Sequence, residues 1–125
     1  MILVDTSIWI DHLRTGDPQL TTLLQDGRVL AHPWVIGELA LGQLTRRSEI
    51  LELLHNLPHA TVATDAEVLT MIENQRVFGL GIGYVDAHLL AATLLTAGAG
   101  LWTRDKRLDA VAAKIGLTTN ELPER

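Results

Sequence analysis

ILVDTS, residues 2–7, sets three apolar residues directly against a carboxylate and two hydroxyls. The run is too short for a helix and rich in β-branched side chains, so residues 2–5 read as a buried strand ending in Asp5. A carboxylate beside a core is unfavourable unless something answers its charge. Thr6 and Ser7 offer hydroxyls that can start a helix, so the segment reads as a strand-to-helix turn. In folds with parallel strands, ligands bind outside the carboxyl ends of the strands, where Asp5 stands.

Working outward, short β-rich runs alternate with longer helical patterns, the order of a parallel sheet covered by helices. Residues 7–14 and 18–25 read as helices, the first begun by Thr6 or Ser7, the second capped by Asp17 with Pro18 in its first turn. VLAH (29–32) is a second strand, followed by a helix from Pro33 to about Leu44 and another over 46–55 with Ile50, Leu53 and Leu54 inward. ATVA (60–63) is expected as a third strand, with Asp65 capping a helix to about Phe78. GLGIG (79–83) forms a turn before Tyr84–Ala97, a helix apolar nearly all round and therefore buried. AGLWT (99–103) is the fourth strand, Lys106–Ile115 the last helix, and a short fifth strand is expected near 117–119. The expected architecture is a single domain over 1–125, a three-layer α/β/α sandwich around a mainly parallel sheet of four to five strands.

The chain has 125 residues, 47% of them hydrophobic, which suits one core. Its longest apolar run, Leu89 to Trp102, is interrupted by Thr93, Thr96, Gly98 and Gly100 and falls short of the roughly 20 residues of a membrane span. With no basic leader and no cysteine, the sequence suits a cytoplasmic protein without disulfides or thiolate metal sites. The net charge of −5 argues against a large basic face. That inference weakens if some of the acids share one site.

Four acids fall at comparable places. Asp5 ends strand one, Asp105 follows strand four, Glu38 lies in the helix after strand two, and Asp86 opens the buried helix. With those four set aside, 11 of the 15 acids face 10 bases, close to balance. Carboxylates brought together resist joint ionisation, and a multivalent cation removes that cost. Oxygen-only ligands suit Mg²⁺ or Mn²⁺. Zinc fits poorly, because His55 and His59 alone have helical spacing and Pro58 interrupts them. Such a site suits phosphodiester hydrolysis. No nucleophile elbow, P-loop or GxGxxG competes with it.

The order VDTSIW (4–9), IGELALG (36–42), GIGYVDAHLLAA (81–92) and LWTRDKRL (101–108) resembles the PIN-domain family, specifically the VapC toxins of prokaryotic toxin–antitoxin modules. The resemblance spans essentially the whole chain. It implies an Mg²⁺- or Mn²⁺-dependent endoribonuclease that cuts transfer or ribosomal RNA, inhibits translation and is neutralised by a VapB-type antitoxin. It places the family's acids at Asp5, Glu38, Asp86 and Asp105, Asp5 and Asp86 as direct ligands and the others as direct or water-mediated ones. Thr6, Ser7 and Thr103 correspond to its hydroxyls, expected to orient rather than react. Many members carry a further acid two residues after the fourth, where this chain has Arg107.

Plainer readings stand beside these. Asp5 and Asp105 can cap helices, Asp86 can answer a helix dipole, and Glu38 can face solvent, although Ile36, Leu39 and Leu41 around it suggest partial burial. Arg104, Lys106 and Arg107 bracket Asp105 as candidate RNA-phosphate contacts or as a solvated helix start. Trp102 reads as core, and Trp9 and Trp34 as core or anchors for a partner. The mean hydropathy of +0.20 suggests an apolar interface for a homodimer, the antitoxin or both. Two rivals share the Asp after strand one. A phosphoaspartyl hydrolase would need a second Asp at position 7, where Ser stands. A receiver-like Mg²⁺-binding module would need its phospho-accepting Asp at Asp65.

Overall fold

The computed structural model describes residues 1–125. Strands β1 (Ile2–Val4), β2 (Val29–Leu30) and β3 (Gly100–Trp102) form one parallel sheet in the order β2-β1-β3. Ile2 and Leu3 pair with Val29 and Leu30 on one side, and Ile2, Leu3 and Val4 with Gly100, Leu101 and Trp102 on the other. Helices α1 (Thr6–Thr15) and α2 (Pro18–Gln25) connect β1 to β2. The route from β2 to β3 carries α3 (Pro33–Leu41), α4 (Arg47–Asn56), α5 (Asp65–Gln75) and α6 (Tyr84–Leu95), and α7 (Lys106–Lys114) follows β3. The crossover from β1 to β2 and the one from β2 back past β1 to β3 run in opposite directions across the sheet. Right-handed connections therefore put their helices on opposite faces, the three layers expected. Ile2, Leu3 and Val4 are accordingly buried on both faces, at the centre of one apolar core.

This winding places Asp5. The chain passes from β1 to β2 on one flank and returns to β3 on the other, so a crevice opens at the carboxyl end of β1. Asp5 follows Val4 there, its backbone N–H donating to the Trp102 carbonyl at 3.0 Å. α6 carries Ala87, Ala91 and Ala92 among its buried residues and packs on β3 and α5, small side chains allowing the close approach.

The sheet is narrower than the four to five strands expected. At ATVA the pairing shrinks to one bridge between Ala31 and His59, because Pro58 has no N–H and the Thr61 N–H is taken by the Thr96 hydroxyl at 2.9 Å. Near 117–119 a single bridge joins Leu101 to Thr118. Gly100 permits it, since a Cβ there would stand 2.8 Å from the Thr119 Cβ. α3 stops at Leu41 rather than Leu44. Thr64, not Asp65, caps α5, with Glu67 closing a capping box. Leu53 is exposed, whereas Leu54 is buried as expected. Trp9 and Trp102 are core residues, and Trp34 is half-buried against the His88 ring at 3.9 Å.

His32 caps α3 by accepting the Trp34 N–H on Nδ1 at 3.1 Å, which leaves its proton on Nε2, a buried atom without a partner. Burial, then His88 and His59, push its pKa down to about 4. The neutral ring is thus favoured in the fold, so its stabilisation is complete above pH 6.5 and is lost as pH falls toward 4. His32→Asn keeps a capping acceptor but cannot titrate. Between pH 7 and pH 4 the parent should lose about 3 kcal/mol more stability than this variant, read from urea midpoints.

Candidate active site

Asp5 is the N-cap of α1, a role the sequence assigns to Thr6 or Ser7. Its Oδ2 accepts from the Ser7 hydroxyl at 2.7 Å, the Thr103 hydroxyl at 2.8 Å and, more weakly, the Ser7 N–H at 3.4 Å. All these bonds fall on one oxygen, so Oδ1 carries none of them. The Thr103 hydroxyl also accepts the Asp105 N–H at 3.0 Å, and the Ser7 hydroxyl accepts the Arg104 N–H at 3.0 Å. Two hydroxyls therefore tie the β1–α1 turn to the β3–α7 turn and hold the Asp5 carboxylate in one orientation.

The other acids arrive from separate elements. Asp105 caps α7, its Oδ1 accepting from the Leu108 N–H at 2.9 Å. Asp86 lies in the first turn of α6, where Oδ2 accepts the Gly83 N–H at 3.1 Å. Glu38 is more exposed than its neighbours suggest, because Leu41 beside it is itself 91% exposed. The Thr6 hydroxyl donates to Glu38 Oε1 at 2.7 Å and so steers it toward the Asp5 turn.

Asp86 lies within electrostatic reach of the other three acids. Asp86 is held above the usual carboxylate range first by burial, then by the charges of Asp5, Asp105 and Glu38, against the lowering effect of the Gly83 N–H. No three Asp, Glu or His side chains stand close enough to grip one ion between them. The donor set nevertheless fits a hard cation that takes one or two carboxylates and keeps its waters. All four groups offer oxygen, and Asp5 presents one carboxylate oxygen free of hydrogen bonds.

The flanking cations differ in their engagement. The Arg104 guanidinium pairs with Asp11 through Nε and with Asp17 through Nη2, each at 2.6 Å. Through these two pairs the residue clamps the β3–α7 turn to α1 and α2, while Nη1 has no partner. Asp17 is only 4% exposed. Burial raises its pKa, but the Leu20 N–H and Arg104 outweigh this and hold it below the usual range. Arg104→Ala should cost about 1–2 kcal/mol in urea denaturation, and Lys should recover only part of it, because an ammonium cannot bridge both carboxylates as a guanidinium fork does. Lys106 and Arg107 are exposed and make no ion pair.

Asp65, the receiver-like candidate, accepts from the Tyr84 hydroxyl at 2.7 Å and pairs with His88 Nε2 at 3.1 Å. It serves to join α5 to α6. The pairings of Asp11 and Asp17 with Arg104, and of Asp65 with Tyr84 and His88, carry no sequence signal, because the partners lie far along the chain.

The PIN-domain family model matches residues 2–114, which contain all four acids. The chain belongs to the PIN-domain family. A protein named Ribonuclease VapC32 from Mycobacterium tuberculosis, in strain CDC 1551 / Oshkosh and strain ATCC 25618 / H37Rv, is 50% identical over 121 residues, 97% of this chain and 98% of its own length. The similarity places this PIN domain with the VapC type and extends through the β3–α7 turn and beyond it. No helix of the domain is long and apolar enough to cross a membrane.

Proposed function

We propose that the protein is a divalent-metal-dependent endoribonuclease, the toxin of a VapBC-type pair, acting in the cytoplasm to inhibit translation. The observation carrying this reading is the Asp5 carboxylate at the carboxyl end of β1, held by the Ser7 and Thr103 hydroxyls with one oxygen free, beside Asp105 on the β3–α7 turn and Glu38 held by Thr6. Asp5 and Asp86 would hold Mg²⁺, or Mn²⁺, with Glu38 and Asp105 in direct or water-mediated contact. A bound cation would supply acidification of water and neutralisation of charge on the phosphate. Ser7 and Thr103 keep Asp5 oriented, and Thr6 does the same for Glu38.

Water adds to phosphorus in line while the bond to the 3′ oxygen breaks, leaving a 5′-phosphate and a 3′-hydroxyl. Transfer or ribosomal RNA is the substrate class, and a VapB-type antitoxin the inhibitor. Exposed Leu41, Leu69 and Phe78 suit such a partner or a second copy in a homodimer.

Cloning and sequencing of RNA ends after exposure to the protein tests the reading. New 5′-phosphate ends that require Mg²⁺ are expected. Phosphomonoester hydrolysis through a covalent aspartyl phosphate, without such ends, would overturn it.

A further inference from the structure

A metal site built from four acids repels a polyanion at every point outside the cation, in a chain already at −5. Something near it must attract the substrate strand, and Arg104 is committed to Asp11 and Asp17. Beside the site lies a groove of about 350 Å³ lined by Leu80, Lys106, Arg107, Ala110, Val111 and Lys114. Three of these six are cationic and none is acidic, the reverse of the whole-chain balance. None of the three cations is in an ion pair.

The two walls of this groove lead to the acids. One is α7, which Asp105 caps. The other is the 79–83 loop, whose last residue gives its N–H to Asp86. They meet where Arg107 lies across Gly81: a Cβ at that position would stand 3.0 Å from a guanidinium nitrogen, and φ there is +80°. Glycine thus lets the loop turn and the arginine lie flat on it. At the far end the Lys114 ammonium donates to the Arg76 carbonyl at 3.0 Å, which fixes its position. Arg107 and Lys114 are seven residues apart on one helix, about 10 Å by the helical rise, close to the length of three stacked nucleotides.

We propose that this groove carries the single-stranded RNA flank adjoining the scissile phosphate, with Lys106 and Arg107 on phosphates near the site, Lys114 on one farther along the strand, and Leu80 and Val111 flooring it against a base. The assignment rests on the ribonuclease reading and extends it to a second, sequence-independent contact surface. Continuity with Asp105 and Asp86 favours RNA over an acidic peptide, because a strand positioned for cleavage must leave the site along one of its walls.

The probe is a fluorescein-labelled 12-nucleotide single-stranded RNA of mixed sequence, titrated by anisotropy at several salt concentrations against the Asp5→Asn protein, which does not consume it. Adding Lys106→Gln, Arg107→Gln and Lys114→Gln should weaken binding at least about 10-fold near 0.1 M salt. It should also flatten the slope of log affinity against log salt by about 2, from roughly 0.7 per phosphate on a single strand. Gln preserves helix propensity. Should the triple variant melt early, the single variants are each expected to lower the slope by about 0.7, a third of that change. Arg107→Lys and Lys114→Arg should keep it.

Unchanged affinity and slope in the triple variant would overturn the groove while leaving the nuclease intact. So would loss of binding to a glutamate 12-mer with RNA binding retained, which would mark a protein-docking surface. A parent that neither binds nor cuts RNA would overturn both readings.

Discussion

Asp5→Asn is expected to reduce RNA cleavage to below about 1% of the parent rate, since even supporting residues of metal sites typically cost 10- to 100-fold. The outcome depends on which oxygen is replaced. Asp5 Oδ2 already accepts from Ser7 and Thr103, and the asparagine carbonyl can take that place. The amide NH₂ then occupies the position of the free oxygen and points a donor where a cation needs an acceptor. Asn caps helices as well as Asp does, so α1 should persist. Stability should stay within about 1 kcal/mol of the parent. A variant that unfolds would implicate the cap, and a folded variant that cuts normally would remove Asp5 from the chemistry. Thermal melts beside single-turnover cleavage separate these results.

Asp86→Asn should also lower cleavage at least about 100-fold, but with a pH-dependent gain in stability in the metal-free protein. Burial and three neighbouring carboxylates hold the Asp86 carboxyl above its ordinary range. The native state therefore keeps this proton to higher pH than the unfolded chain does. Its contribution is full at low pH and is lost as pH rises through the folded-state value. At neutral pH without metal, Asp86→Asn should melt higher than the parent, and the gap should close as pH is lowered. Added Mg²⁺ should raise the parent's melting temperature and move the variant's much less. Calorimetric melts at pH 5 and pH 7.5, with and without Mg²⁺, give all four values.

The fold was legible where a pattern is local. Ile2–Val4 ending in Asp5, Pro33 opening α3 and the apolar α6 each announce their element through composition and spacing. The sheet's width was not, because ATVA has strand propensity but loses its pairing to Pro58 and to the Thr96 hydroxyl, 35 residues from the N–H it takes. The positions of Asp5, Asp86 and Asp105 at strand ends and helix starts, and of Glu38 within the helix after β2, could be read from the pattern. Their supporting contacts could not. Nothing in the sequence says that Thr6 reaches Glu38, or that Arg104 pairs with Asp11 and Asp17. Those outcomes depend on how α1, α2 and α3 sit around the β3–α7 turn.

The most direct test is cleavage of a labelled RNA by metal-stripped protein before and after Mg²⁺ is restored, with Asp5→Asn alongside. The account predicts no cleavage without metal, recovery on adding Mg²⁺ to the parent, and none in the variant. Cleavage that persists under chelation, or that survives in a folded Asp5→Asn protein, would contradict it.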